Sequence, residues 1–252
     1  MTKPEGQASS FAGFALRTTC LLTIVIATTS VAGADIMSPA FLVQATNETG
    51  TGTFEVSSDE MTYDPVAQTY SWAMTGSVDI VTETQDVVAV LTGGEIIYKE
   101  DPQIALGFSV AAGLTDTTFL ISSGLLSFPA IALPEAVASA GLTLTDTSID
   151  GSGATLTEMG PGTGSYVAAY GGGTVFADLL PGLSTTGSIS QSAIQPLASI
   201  GGPVSDMGAA FAFKVSAEDL ASGTSNFVII PEPAGLALLL VAGLSVAARR
   251  RA

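Results

Sequence analysis

Apolar and polar residues alternate along most of this chain in short runs, the period of a half-buried β-strand. The clearest run is Gln68–Thr82, where Tyr70, Trp72 and Met74 fall on one side and Ser71, Ala73 and Thr75 on the other. Gly76 marks a bulge or bend, after which Val78, Ile80 and Thr82 continue the pattern. Thr53–Ser57 alternates in the same way, after an opening strand and loop over Asp35–Gly52. Asp86–Thr92 and Glu95–Glu100 flank Gly93-Gly94, which predicts a hairpin because glycine accepts the positive φ of tight turns. Ile104–Ala111 and Thr117–Ser122 read as a second pair joined through Gly113 and Asp116, and Gly124–Ala132 as a further apolar segment.

Downstream, Leu142–Ser148 and Ala154–Glu158 flank a Ser148–Gly153 turn, again hairpin-like. Ser165–Tyr170 follows a Gly160–Gly164 loop and turns through Gly171-Gly172-Gly173 into Thr174–Leu179. Ser188–Ile200 fits no single template. Ala209–Val215 is almost continuously apolar, as expected of a strand buried on both faces, and Asn226–Ile230 reads as a closing strand. Helix signals are few. Pro134–Ala140 starts with proline and ends at Gly141, and Ser216 with Asp219 resembles a cap for a single turn ending by Gly223. The whole pattern predicts an all-β fold, a β-sandwich of jelly-roll type with one or two very short helices. No fixed-period repeat is present, which places propellers and β-solenoids lower.

The two ends follow different rules. Residues 1–34 read as a secretory signal peptide: Lys3 and Arg17 supply positive charge, Cys20–Val31 an apolar stretch, and Ala32-Gly33-Ala34 a small-residue cleavage site that leaves Asp35 first. Cys20 follows Arg17-Thr18-Thr19, which is not a lipobox. At the other end Pro231-Glu232-Pro233 precedes an apolar run, Ala234–Ala248, closed by Arg249-Arg250-Arg251. A helix of that length spans roughly 22 Å, short of the roughly 30 Å hydrocarbon core, so it suits a transient hold better than a permanent span. The arginines keep their end cytoplasmic and put the preceding chain on the other side. A plain tail anchor is the rival reading. The chain thus divides into a signal peptide (1–34), one β domain (35–230) and a tail (231–252).

Pro-Glu-Pro, a short apolar run and an arginine cluster, in that order over Ile230–Arg251, resemble the PEP-CTERM sorting signal of Gram-negative bacteria that make extracellular polysaccharide. The resemblance implies processing near Pro231–Pro233 by an exosortase-type enzyme and release of the body to the cell surface or matrix. It implies nothing about what the body does there.

Charge narrows the partners. Of the 23 acidic residues only Glu5 and Glu232 lie outside 35–231, and of the seven basic ones only Lys99 and Lys214 lie inside, so the body carries −19. Nothing on it can neutralise phosphates, which excludes nucleic acid. The body also lacks cysteine, so its stability rests on the core without disulfides.

Candidate chemistry is sparse. There is no histidine, which removes Ser-His-Asp and Cys-His arrangements and histidine metal sites. The glycine clusters lack the Lys-Ser/Thr ending of a phosphate loop. Asp59 with Glu60, and Glu218 with Asp219, are neighbouring carboxylates on turns, with nothing to set their protonation apart. Asp146 and Asp150, with hydroxyls and Gly151, form a weak calcium candidate whose spacing matches no standard loop; a polar turn is the plainer reading. Asn47-Glu48-Thr49 fits a glycosylation pattern. Tyr70 and Trp72, with Tyr63 nearby, would make a sugar-stacking platform if exposed and a core strand if not. The sequence therefore points to an exported, non-enzymatic structural or adhesive protein without cofactor. Its expected partners are the export translocon, signal peptidase, an exosortase and exopolysaccharide. A carbohydrate-binding module, and then a carboxylate-based hydrolase, are the alternatives.

Overall fold

A computed structural model describes residues 34–149 and 151–231. Alternation becomes strand almost throughout. In chain order the strands are β1 (Asp35–Ile36), β2 (Phe41–Asn47), β3 (Gly50–Val56), β4 (Thr62–Asp64), β5 (Thr69–Ala73) and β6 (Val78–Val81). Next come β7 (Val87–Lys99), β8 (Gln103–Ala112), β9 (Thr117–Ser123), β10 (Leu126–Ile131), β11 (Glu135–Thr145) and β12 (Ala154–Glu158). The last are β13 (Tyr166–Tyr170), β14 (Thr174–Leu179), β15 (Leu183–Thr185), β16 (Ser188–Ser199), β17 (Val204–Val215) and β18 (Leu220–Ile230). Residues 1–33 with Ala32, and the tail from Glu232 through Arg249, Arg250 and Arg251, lie outside the described residues; Ala34 is half-buried against the core. Among the described residues no helix is long and apolar enough to cross a membrane.

Two antiparallel sheets form. The eight-stranded sheet runs β16-β11-β18-β8-β7, with β5 and β6 side by side along the far edge of β7 and β4 beyond β5. The ten-stranded sheet is built on β17. Phe213 faces Phe119 on one side and Glu158 on the other, and Met207 faces Leu126 and Tyr170. β9 and β10 therefore line one edge of β17, and β12 and β13 the other. Rings from the two sheets interlock: Phe108 lies 4.9 Å from Phe211, Phe176 5.7 Å from Phe227, and Phe41 5.7 Å from Trp72. Burying these faces against each other supplies most of the folding drive.

The hairpin predicted at Gly93-Gly94 does not form; β7 continues through both glycines, with a register shift against β8 between Leu91 and Gly93. A Cβ on Gly94 would stand 3.2 Å from Phe41 and 3.3 Å from Trp72, so glycine is there to let these rings close over the strand. The β7–β8 turn comes instead at Glu100–Pro102. β8 and β9 have the predicted bounds but do not pair, because the chain crosses between the sheets after β8. β11 and β12 do not pair either; β12 has the predicted bounds, but β11 runs from Glu135 to Thr145 rather than from Leu142 to Ser148. The helix predicted over Pro134–Ala140 is the start of β11, whose Ala136, Ala138, Ala140, Leu142 and Leu144 are all buried at strict period 2. Alanine suits either period, and two sheet neighbours decide the matter. β17 buries one face strongly and half-buries the other, so it is not a doubly buried strand. Ser216–Asp219 is a turn, and the one helical piece among the described residues is a 3₁₀ turn at Ser58–Glu60, capped by Ser57 with Glu60. The Gly171–Gly173 turn is as read, with φ of +56°, +76° and +114°. Gly76 (φ +83°) does bend the chain between β5 and β6.

Candidate functional site

The register of the eight-stranded sheet lines up an unusual outward face. Across β7, β8, β18, β11 and β16, one row reads Glu95, Gly107, Thr224, Gly141, Ser192. The next row reads Gly93, Ser109, Ser222, Thr143, Ser190, and the row on the other side Ile97, Ala105, Asn226, Ser139, Ile194. Glu95 is the one charged side chain in these three rows. A shallow trough of about 600 Å³ crosses the face, floored by Gly93, Gly107 and Gly141 and walled by hydroxyls. Those hydroxyls pair with each other: Thr92 Oγ1 donates to Ser109 Oγ at 2.8 Å, and Thr143 Oγ1 and Ser190 Oγ are 2.8 Å apart. The Glu95 side chain lies over Gly107, where a Cβ would come within 2.7 Å of it.

The acidic residues of the turns serve the loops. Asp146 Oδ1 accepts from Ser148 N at 3.1 Å and from Ser148 Oγ at 2.6 Å, the polar-turn geometry. Asp150 lies outside the described residues. Among the described residues no group of three or more acidic side chains is placed to hold a metal ion. Glu60 accepts from Ser57 N at 3.0 Å as the other half of the cap beside Asp59. Asp178 accepts from Thr163 N and Gly164 N, both at 2.9 Å, and so shapes the loop before β13. Asp116 meets Lys214 at 2.7 Å, and that ammonium holds its carboxyl below the usual carboxylate value. Asn47, of the glycosylation pattern, accepts from Thr49 N at 2.9 Å in the β2–β3 turn.

Asp219 is the exception in burial, with 1 % of its surface exposed. Its Oδ1 accepts from Thr147 N at 3.1 Å and its Oδ2 from Ser216 Oγ at 2.5 Å, tying the β11–β12 crossing to the β17–β18 turn. Glu218 beside it has φ +62° and spends its backbone oxygen on Thr147 Oγ1. Both neighbours thus help to hold the two turns together. Asp219→Ala leaves two donors without an acceptor, and we expect it to cost about 1–3 kcal/mol of stability, read as a lower urea midpoint.

Tyr70 and Trp72 are both half-buried and packed on the core. Trp72 stands between Phe41 and Phe54, at 5.7 and 5.9 Å, and faces the opposite sheet. Tyr70 stacks at 4.4 Å on Tyr63, whose hydroxyl donates to Glu100 at 2.9 Å. The two rings are thus partly covered, neither fully open nor fully buried. Between the sheets, burial pushes the phenols of Tyr98 and Tyr166 well above the usual tyrosine value. Tyr98 donates to Ala40 O at 2.5 Å. The Tyr166 and Ser225 hydroxyls meet no full hydrogen-bond geometry, and Ser225 offsets only part of the rise that burial imposes. Pro231 ends the described chain beside a cavity of about 510 Å³ lined by Pro102, Phe128, Ile131 and Leu133.

Fold and face together define an all-β, two-sheet domain with a broad, nearly uncharged hydroxyl and glycine surface on a strongly acidic body. The chain matches no protein-family model, and no curated protein matches it significantly. The outward rows escaped the sequence reading because they join residues from five strands that only the register brings together.

Proposed function

We propose that this is an exported, non-enzymatic surface or matrix protein of a Gram-negative bacterium. In this reading it is held at the membrane by residues 234–248 and sorted through Pro231, Glu232, Pro233 and Arg249–Arg251. The observation that carries the reading of the body is the outward face of the eight-stranded sheet, with one charged side chain in three rows on a body of −19. Such a face suits many shallow contacts to a neutral polymer. A reaction centre would instead gather titratable groups in a cleft, whereas the acids here are spread over turns and bonded to backbone amides. Repeated crossings between the sheets, after β3, β8, β10, β11, β15, β16 and β17, support a jelly-roll type of connectivity. Mass spectrometry of the chain from membranes and medium tests the sorting. We expect an external form that begins at Asp35 and ends within 231–233. Arg249–Arg251 retained in every fraction would leave a permanent anchor and overturn it.

The trough favours a second reading, direct binding of neutral exopolysaccharide along the Gly93–Gly107–Gly141 floor rather than at Tyr70 and Trp72. A Cβ at Gly141 would meet nothing closer than 3.7 Å, so Gly141→Gln fills the trough without disturbing the sheet. Retention on a neutral polysaccharide column should fall with that variant while its melting temperature holds. Equal retention by both proteins would count against this reading.

A further inference from the structure

We propose that Ser188–Gln195 of β16 pairs antiparallel with the same segment of a second copy, joining two eight-stranded sheets edge to edge. β16 is the outer strand of its sheet and pairs only with β11. Over Ser188–Gln195 the pairing to Thr145–Ala138 is unbroken, so the outer backbone of this stretch forms a straight row of donors and acceptors with no strand hydrogen-bonded to it. Eight residues give a contact of about 26 Å. The register shift and Pro196 close the run at one end, and Gly187 at the other.

The other edges are short or guarded; β1 and β15 are two and three residues long. β4 is three residues long and carries Asp64, β6 carries Asp79, β3 carries Glu55 and β14 carries Asp178. β3 is covered as well: a Cβ on Gly52 would lie 2.5 Å from Val81 O of the opposite sheet. β16 carries no charge on any of its twelve residues and exposes Ile189, Ile194 and Leu197 at 38, 64 and 52 %. On a body of −19, two copies pairing along any of the charged strands would set carboxylates against their own counterparts, while along β16 they meet only Ser, Gln, Ala and Ile. A lysine-rich partner would gain nothing from this strand, and an acidic one would be repelled by the body around it. The strand therefore fits a copy of itself, in an isologous contact. With the two-fold axis at Ser190 or Ser192, residues of like parity share a face, so such pairing would carry the rows of Ser190 and Ser192 into the partner's rows and extend the uncharged face.

Disulfide trapping in the full-length chain tests this without isolating the body. The chain's one cysteine, Cys20, is replaced by serine, and single cysteines are placed at Ser188, Ser190, Ser192 and Ile194. Val66 and Leu114, 92 and 84 % exposed on other parts of the body, serve as controls. A disulfide needs Cβ atoms about 3.5–4.5 Å apart, so only positions near the two-fold axis should link strongly. We expect Ser190→Cys or Ser192→Cys to give disulfide dimer at about five times the level of the controls, with the yield falling away toward the ends of the segment. Higher salt should raise the yield, because it screens repulsion between the bodies. Adding Ile194→Glu should lower it several-fold at unchanged expression. Cross-linking no greater than Val66→Cys, or equal at all four β16 positions, would overturn the proposal.

Discussion

Phe211→Ala is expected to lower the stability of the body by about 3–5 kcal/mol, the usual cost of emptying a large aromatic site in a packed core. Phe211 is fully buried on β17, the hub of the ten-stranded sheet. Its ring lies 4.9 Å from Phe108 of the opposite sheet and 4.9 Å from Tyr166 of its own. Phe108 in turn rests on Gly223, where a Cβ would stand 2.6 Å from its ring, so Phe108 has little room to swing into the vacated space. Because domains of this size are stable by only about 5–15 kcal/mol, one such change takes a large share. The urea midpoint should drop with the slope unchanged; a loss below about 1 kcal/mol would mean that the sheets do not lock at this ring.

The second large effect is expected in alkali. Below the ordinary phenol value of about 10, Tyr98 and Tyr166 are neutral whether the chain is folded or not. Above it the unfolded chain ionises both rings freely, while burial between the sheets keeps the folded ones neutral. The unfolded state then binds fewer protons, so stability falls as pH rises from about 10 toward the raised folded values. Followed by phenolate absorbance and circular dichroism together, the ionisation of these two rings should coincide with loss of the β-sheet signal. Their reversible ionisation with the sheets intact would contradict the burial assigned to them. Tyr98→Phe and Tyr166→Phe should each move the alkaline transition upward, with Tyr98→Phe also losing the bond to Ala40.

The strands were largely legible because period-2 alternation reports burial on one face directly. β5, β6, β8, β9, β13 and β14 stand close to where the pattern put them. The errors share a cause. Gly93-Gly94 carries turn chemistry but serves ring packing, and Pro134–Ala140 carries helix chemistry but has a strand on either side. In both cases the deciding contacts come from residues far away in sequence. The aromatic pair Tyr70 and Trp72 was ambiguous for the same reason, since periodicity puts two rings on one face without saying what covers it.

By itself the sequence determined the class of the body as all-β, its charge of −19, and the absence of histidine and body cysteine. These follow from local period and composition, which need no partner strand. Only the tertiary structure decided which strands share a sheet and which side of β5 is covered. It also brought Gly107, Thr224 and Gly141 into one row and left the uncharged β16 unpaired on its outer side. Register is a property of pairs, and a face built from five strands exists only once each has found its neighbour.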